Sequence, residues 1–395
     1  MPLFRSSSTV SVGELYALIR HERDLTRTEL GRLTGLSRTA VSSRVRELTV
    51  RGLVLEGDPA PSTGGRPAAR VSFNAAAGVV LTAAVGGSRV RLAVCDLAGD
   101  TIAAADIDRE PGFRPDDLMP DVVTCLDQLL DSSGHRSSRI FGVGLSLPGT
   151  VDPQRGCSLD SPVLSGWDGV PLLPYLSGLT DAPVVVDNDA NVIALAEWRA
   201  GAGRGYDDVL VVKASTGLGA GIVAGGVVQR GAMRAAGEFG HNKTAAAAGR
   251  ACRCGDIGCL EAVAGGWVLV HTLAENGREV ANLRDVVALA NGGDALARRV
   301  IRDSGRHIGE VLAAAVNLLN PAALVIAGDV ADAYDVFVAG LRETLYGNAT
   351  ALATRTLLIA RAALGDRGGV TGTAMSVLDQ VLGADAVDAL VTPSR

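Results

Sequence analysis

The sequence predicts an α/β chain in two unequal parts, a small winged helix-turn-helix head followed by a larger two-lobed body. Three observations predict it. The charge is unevenly divided: residues 1–73 carry eleven arginines, no lysine and seven acidic residues, for +4, while the remainder carries −10. Helix-capping signals in the head recur at the spacing of a helix-turn-helix. A glycine-turn pattern in the body occurs twice, Gly217 lying 131 positions after Gly86.

Length and composition set the frame. A chain of 395 residues exceeds one ordinary core, and 47% hydrophobic residues are enough to fill more than one. Aromatics at 4% and 49 glycines favour helices and tight turns over an aromatic-rich sandwich, and they exclude disorder, collagen and coiled coil. The best apolar stretch, 311–328, is interrupted by Asn317, Asn320 and Pro321, so no membrane span is expected. The first ten residues lack the apolar core of a signal peptide, and a cytoplasmic location is expected.

In the head, Ser11–His21 reads as a helix with Val12, Leu15 and Ile19 on one face. Thr26 and Glu29 form a capping box that starts a second helix, with Leu30 and Leu33 directed inward and a stop at Gly35. Ser37 caps a third helix whose Val41, Val45 and Leu48 align on one stripe. The opposite face then presents Thr39, Ser42, Ser43 and Arg46, with Arg38 at the flank, to base edges and phosphates. Two strands, Leu53–Glu56 and Ala69–Phe73, frame a wing that carries Arg66 within Gly64-Gly65-Arg66-Pro67. A projecting arginine between glycines suits a narrow minor groove. The bland alternative is a three-helix packing domain with solvated arginines.

The body opens with VVLTAAVGGSRVRLAVCD, a strand, glycine turn and strand, and repeats the unit as VLVVKASTGLGAGIVAGG. Two related lobes are expected, each with a hairpin turn able to cradle phosphate. Neither unit has the strand, GxGxxG, helix order of a dinucleotide site. Between them, VVVDNDANVIALAE places Asp187, Asn188, Asp189 and Asn191 where a buried strand gives way to a helix. A carboxylate there can accept a sugar hydroxyl proton or simply cap the helix, and spacing alone favours the cap. Further on, Gly237-Glu238-Phe239-Gly240-His241 precedes Cys252-Arg253-Cys254-Gly255-Asp256-Ile257-Gly258-Cys259-Leu260-Glu261. His241, Cys252, Cys254 and Cys259 can close a tetrahedral zinc site with no position left for a catalytic water. The zinc would therefore be structural. Cys95, Cys125 and Cys157 read as ordinary small residues in or near the core.

Over residues 12–380 the chain resembles the ROK family of repressors, open reading frames and kinases, in its winged-helix regulator branch. The resemblance rests on the Gly-Glu-x-Gly-His to Cys-x-Cys-Gly-x-x-Gly-Cys-Leu-Glu segment, on Asn188-Asp189-Ala190-Asn191 and on the Gly-Gly-Arg-Pro wing. It implies an actin/hexokinase-like body with a sugar cleft between its lobes. It further implies sugar contacts from Asn188, Asp189, Glu238, His241 and Glu261, with His241 shared by sugar and zinc. In the kinases of such a family the aspartate matching Asp189 is the general base. Expected domains are a DNA-binding head at 1–73, a first lobe at 74–199 and a second lobe with the zinc loop at 200–395, its final helix returning to the first lobe.

Two departures bear on function. The kinases carry Asp-x-Gly-Gly-Thr in the first phosphate turn, where this chain has Ala84-Val85-Gly86-Gly87-Ser88. Alanine cannot help position magnesium and phosphate, which argues against ATP and magnesium as cofactors. Arg89 and Arg91 after the turn read as solvated hairpin residues, with weak anion contacts as the alternative. On the sugar side Val163 stands where relatives often have asparagine, so one polar contact is lost. The reading is a transcriptional regulator responsive to a sugar or sugar phosphate, a repressor that binds operator DNA as a homodimer or higher homo-oligomer. The alternative is an ATP-dependent, glucokinase-like enzyme that keeps a DNA-binding head.

Overall fold

The computed structural model describes residues 10–22, 24–59 and 69–392. Arg66 and the tip of the expected wing lie outside those residues.

The head follows its capping chemistry. Thr26 and Glu29 form the reciprocal box, and the helix Arg27–Thr34 ends where Gly35 adopts φ 72°. That left-handed conformation favours glycine. Ser37 accepts from the Ala40 amide and starts the helix Arg38–Val50. Val41, Val45 and Leu48 are fully buried against Leu15, Tyr16 and Ile19 of the helix Val12–Glu22. Leu33 departs from expectation and is 39% exposed. A helix of eight residues offers only Leu30 to the small core and turns Leu33 away. The strands Val54–Pro59 and Ala69–Phe73 pair antiparallel, and a short strand, Asp24–Thr26, adds to the latter.

The body contains two five-stranded sheets of the same order. In the first, the antiparallel run Thr101–Asp108, Arg89–Asp96, Val79–Val85 continues into the parallel strands Ile140–Leu147 and Val184–Asn188. In the second, Val227–Gln229, Leu218–Ala224 and Val209–Ala214 continue into Ala323–Ala327 and Leu358–Arg361 in the same way. The repeated glycine turn is thus the first hairpin of a repeated lobe.

Two helices cross between the lobes. Asp189–Ala200 leaves the first sheet and packs on the second, while Gly368–Val381 leaves the second and packs on the first. The two also pack on each other. Glu197, fully buried, accepts hydrogen bonds from the amides of Ala202, Ala363 and Leu364 at 2.8–3.0 Å. It ties the end of one crossing helix to the approach of the other.

The chain then returns to the head. The last helix, Ala384–Val391, packs on Val12–Glu22. The Gly13 amide donates to Asp388 at 2.8 Å, and Arg51 donates to the Val391 carbonyl at 2.9 Å. A β-carbon on Gly13 would stand 1.9 Å from the Ala384 carbonyl oxygen, so only glycine permits this approach. Head residues Leu15, Val41, Leu53 and Val71 share one apolar cluster with Val80, Leu97, Phe141, Leu378 and Val387 of the body. Among the described residues no helix is long and apolar enough to cross a membrane.

Candidate ligand cleft, metal cluster and DNA-facing helix

The cleft between the lobes is lined by both glycine turns and by Val163, Asn188, Asp189, Glu238, His241 and Glu261. All five sequence-predicted sugar residues therefore meet in one place. At 187–191 the capping role falls to Asn188. Asn188 caps the crossing helix by accepting from the Asn191 amide at 2.9 Å, and its side-chain amide donates to Gly149. Asp189, relieved of capping, turns into the cleft.

There it meets a residue that sequence reasoning missed. Lys213 on the strand Val209–Ala214 donates to Asp189 Oδ2 at 2.5 Å. A single charge within the apolar run VLVVKA was the available signal. Its strand sends Val209 and Val211 beneath the crossing helix, and the side chain two positions on reaches that helix's first residue.

Glu261 is 2% exposed and accepts from the Leu218 amide at 2.9 Å. Gly217 permits this contact, because a β-carbon there would stand 2.9 Å from Glu261 Oε2. Arg253, between two of the cysteines, pairs with the other oxygen at 3.4 Å and lies over the Trp267 ring.

Glu238 is held in an unfavourable setting. Burial first, then the negative charges of Asp189, Glu261 and Asp160, raise its pKa from the usual 4.5 to about 7, against the lowering effect of Lys213. The folded chain thus keeps a proton that the unfolded chain releases, and stability falls as pH rises from 4.5 to about 7. Glu238→Gln is expected to raise the melting temperature at pH 8, by the equivalent of about 1–3 kcal/mol, and to leave it unchanged at pH 4. Equal shifts at both pH values in a thermal melt would contradict this account.

On the phosphate side, Ala84, next to last in the strand Val79–Val85, lies within contact of Gly369 on the second crossing helix, and no carboxylate stands at position 84. Arg89 and Arg91 are not free solvated residues. Both pair with Asp106 of their own sheet and with Asp366. From the second lobe, Arg284 reaches Asp108 at 2.8 Å and the Ser88 hydroxyl of the first turn at 3.3 Å.

His241, Cys252, Cys254 and Cys259 gather with their ligand atoms within 4.8 Å of one another. A zinc tetrahedron with bonds of about 2.3 Å holds its sulfurs about 3.8 Å apart. Cys254 and Cys259 are separated by 3.7 Å, and Cys252 Sγ lies 3.9 Å from His241 Nδ1. The residues fit the ion. Lys243 donates to the Cys259 sulfur at 3.2 Å. Of the other cysteines, Cys95 and Cys157 are buried and Cys125 is half-buried.

In the head, Arg38, Thr39, Ser43 and Arg46 are exposed and Ser42 is half-buried on the helix Arg38–Val50. Ser43 donates to Glu47 at 3.3 Å. Arg38 and Arg46 have no acidic partner within 4 Å among the described residues.

A model of the ROK family matches residues 80–380, and a MarR family model matches residues 14–61. The chain belongs to the ROK family. A putative xylose repressor from Caldicellulosiruptor sp. is 29% identical over 377 residues, covering 92% of this ROK chain and 94% of that protein. A glucokinase from Halalkalibacterium halodurans is 31% identical over 312 residues, covering 75% of this chain and 94% of that enzyme. The crystal structure of a ROK family transcriptional regulator, a homologue of the E. coli MLC protein, has a TM-score of 0.78 at 26% identity and covers 96% of this chain and 98% of its own. Similarity to the regulators extends through the head. The body is that of a winged-helix ROK protein with an actin/hexokinase-like fold.

Proposed function

We propose that this ROK protein is a sugar-responsive transcriptional regulator, a repressor in the cytoplasm that binds its operator as a homodimer or higher homo-oligomer. The observation that carries the reading is the continuous packing from cleft to head. The helix Gly368–Val381 begins beside Ala84 and ends in the apolar cluster that contains the head's own core. A ligand that favours one lobe arrangement would thereby favour one head orientation, to the extent that it binds the two arrangements unequally.

In this reading the head spans 1–73, the first lobe 74–199 and the second 200–395, except that Gly368–Val381 returns to the first lobe and the final helix, Ala384–Val391, packs on the head instead. Asn188, Asp189, Glu238, His241 and Glu261 bind the sugar. His241, Cys252, Cys254 and Cys259 hold one structural zinc, which fixes the loop carrying His241 and Arg253. Arg38, Thr39, Ser42, Ser43 and Arg46 face the major groove, and Arg66 of the wing reaches the minor groove. The glucokinase relative keeps the kinase alternative in view. Against that alternative stand Ala84 at the magnesium position and the ammonium of Lys213 on the residue that would act as base.

The test is operator binding in gel shifts, with and without each sugar that raises the melting temperature. A sugar-dependent change in operator affinity supports the reading. Steady sugar-dependent ADP release that vanishes in Asp189→Ala would replace it with the kinase. Arg38→Ala and Arg66→Ala are each expected to weaken the operator complex about tenfold, as loss of one direct contact does, with sugar affinity intact. Unaltered gel shifts would remove those side chains from the interface.

A further inference from the structure

The charges of the cleft bear on which sugar it takes. Five basic side chains line it, namely Arg89, Arg91, Lys213, Arg284 and Arg361. Each is already committed to a carboxylate of the protein: Arg89 and Arg91 to Asp366 and Asp106, Lys213 to Asp189, Arg284 to Asp108 and Arg361 to Asp332. Two main-chain amides of the cleft, those of Leu218 and Asp329, are engaged as well. Glu261 takes the Leu218 amide, and the Ser215 hydroxyl takes the Asp329 amide. On the sugar side, Asp189, Glu238 and Glu261 face the ligand with negative charge or its potential. A phosphate dianion entering here would find no uncommitted cation among the described lining residues and three carboxyl groups near it. Like charges in a half-buried cleft repel strongly.

The Lys213–Asp189 pair favours the opposite kind of group. An ammonium has three donors, of which one is spent on Asp189 Oδ2. Asp189 retains a second oxygen that accepts. A sugar hydroxyl accepts and donates at once, so it can bridge ammonium and carboxylate. A phosphate dianion only accepts, and it would leave Asp189 facing like charge.

We infer that the effector is a neutral, unphosphorylated sugar, and that Lys213, by pairing with Asp189, is the specificity-determining residue that selects a hydroxyl over a phosphate at this position. The inference rests on the sensor reading above and names its ligand class.

The experiment is calorimetry on the full, zinc-loaded chain at pH 7.5, using glucose, mannose and N-acetylglucosamine, each against its own 6-phosphate. At least one neutral sugar is expected to bind ten times more tightly than its phosphate. Two substitutions then act in opposite directions on that ratio. Asp189→Asn releases the ammonium and moves the ratio toward the phosphate at least tenfold. Lys213→Met leaves the carboxylate unpaired and moves it further toward the neutral sugar. A merely structural pair would shift both affinities together and leave the ratio fixed. A wild-type preference for the phosphate, or an unchanged ratio in both variants, overturns the inference and leaves the sensor reading standing. Failure of every compound in both forms overturns the two together.

Discussion

Glu197→Ala is expected to cost about 4 kcal/mol of stability, read as a lowered urea midpoint of the body. The estimate follows from three buried main-chain amides, those of Ala202, Ala363 and Leu364, left without an acceptor. Each stranded donor costs about 1–3 kcal/mol, and partial relaxation offsets some of the total. Glu197→Gln keeps one neutral acceptor and should fall between the two. The carboxylate joins the exit of the helix Asp189–Ala200 to the segment before Gly368–Val381, so its loss also slackens the crossing between lobes. Sugar affinity should therefore fall in Glu197→Ala although the residue does not line the cleft. A loss below about 1 kcal/mol would mean that water takes over the three amides and that the crossing is held elsewhere.

Cys259→Ser is expected to abolish zinc binding and, with it, sugar binding. The wild-type chain should hold about one zinc by elemental analysis, as one closed ligand set implies. Serine is a poor zinc ligand, and structural zinc is worth about 10–16 kcal/mol of apparent binding energy in small sites. The loop between His241 and Glu261 has few apolar anchors of its own; a small cluster of Cys252, Cys259 and Ala262 is its core. Without the ion, His241 and Arg253 lose their fixed places, and Glu261 loses a partner. Sugar affinity should fall at least a hundredfold, while operator binding persists and ceases to respond to sugar. A variant that lacks zinc and binds sugar normally would separate the two sites.

Much of the architecture was legible in the chain. The caps at Thr26, Gly35 and Ser37 are local signals and define the helix-turn-helix without tertiary help. The two hairpin turns are local as well, and their recurrence revealed the lobes. The four residues of the His/Cys cluster fall within nineteen residues, so spacing carried their grouping. Other features depend on partners remote in sequence. Glu197 resembles any surface acid of an amphipathic helix until the segment 362–364 arrives 166 positions later. Lys213 broke an apolar strand, a local sign, but its meaning lay in Asp189 on another element. The arginines at 89 and 91 read as solvated because Asp366 is supplied by the far end of the chain. The strand Asp24–Thr26 is too short to show alternation and exists because Ala69–Phe73 offers it an edge.

The packing of Ala384–Val391 against Val12–Glu22 has a consequence for how such proteins diversify. A head on a flexible tether could be exchanged for another by simple recombination. Here the first and last helices complete one another, with Gly13 tolerating no side chain where it meets Ala384. A foreign head would arrive without a matching surface for Val387 and would strand apolar area on both pieces. A functional exchange of heads would therefore require matching changes in Ala384–Val391.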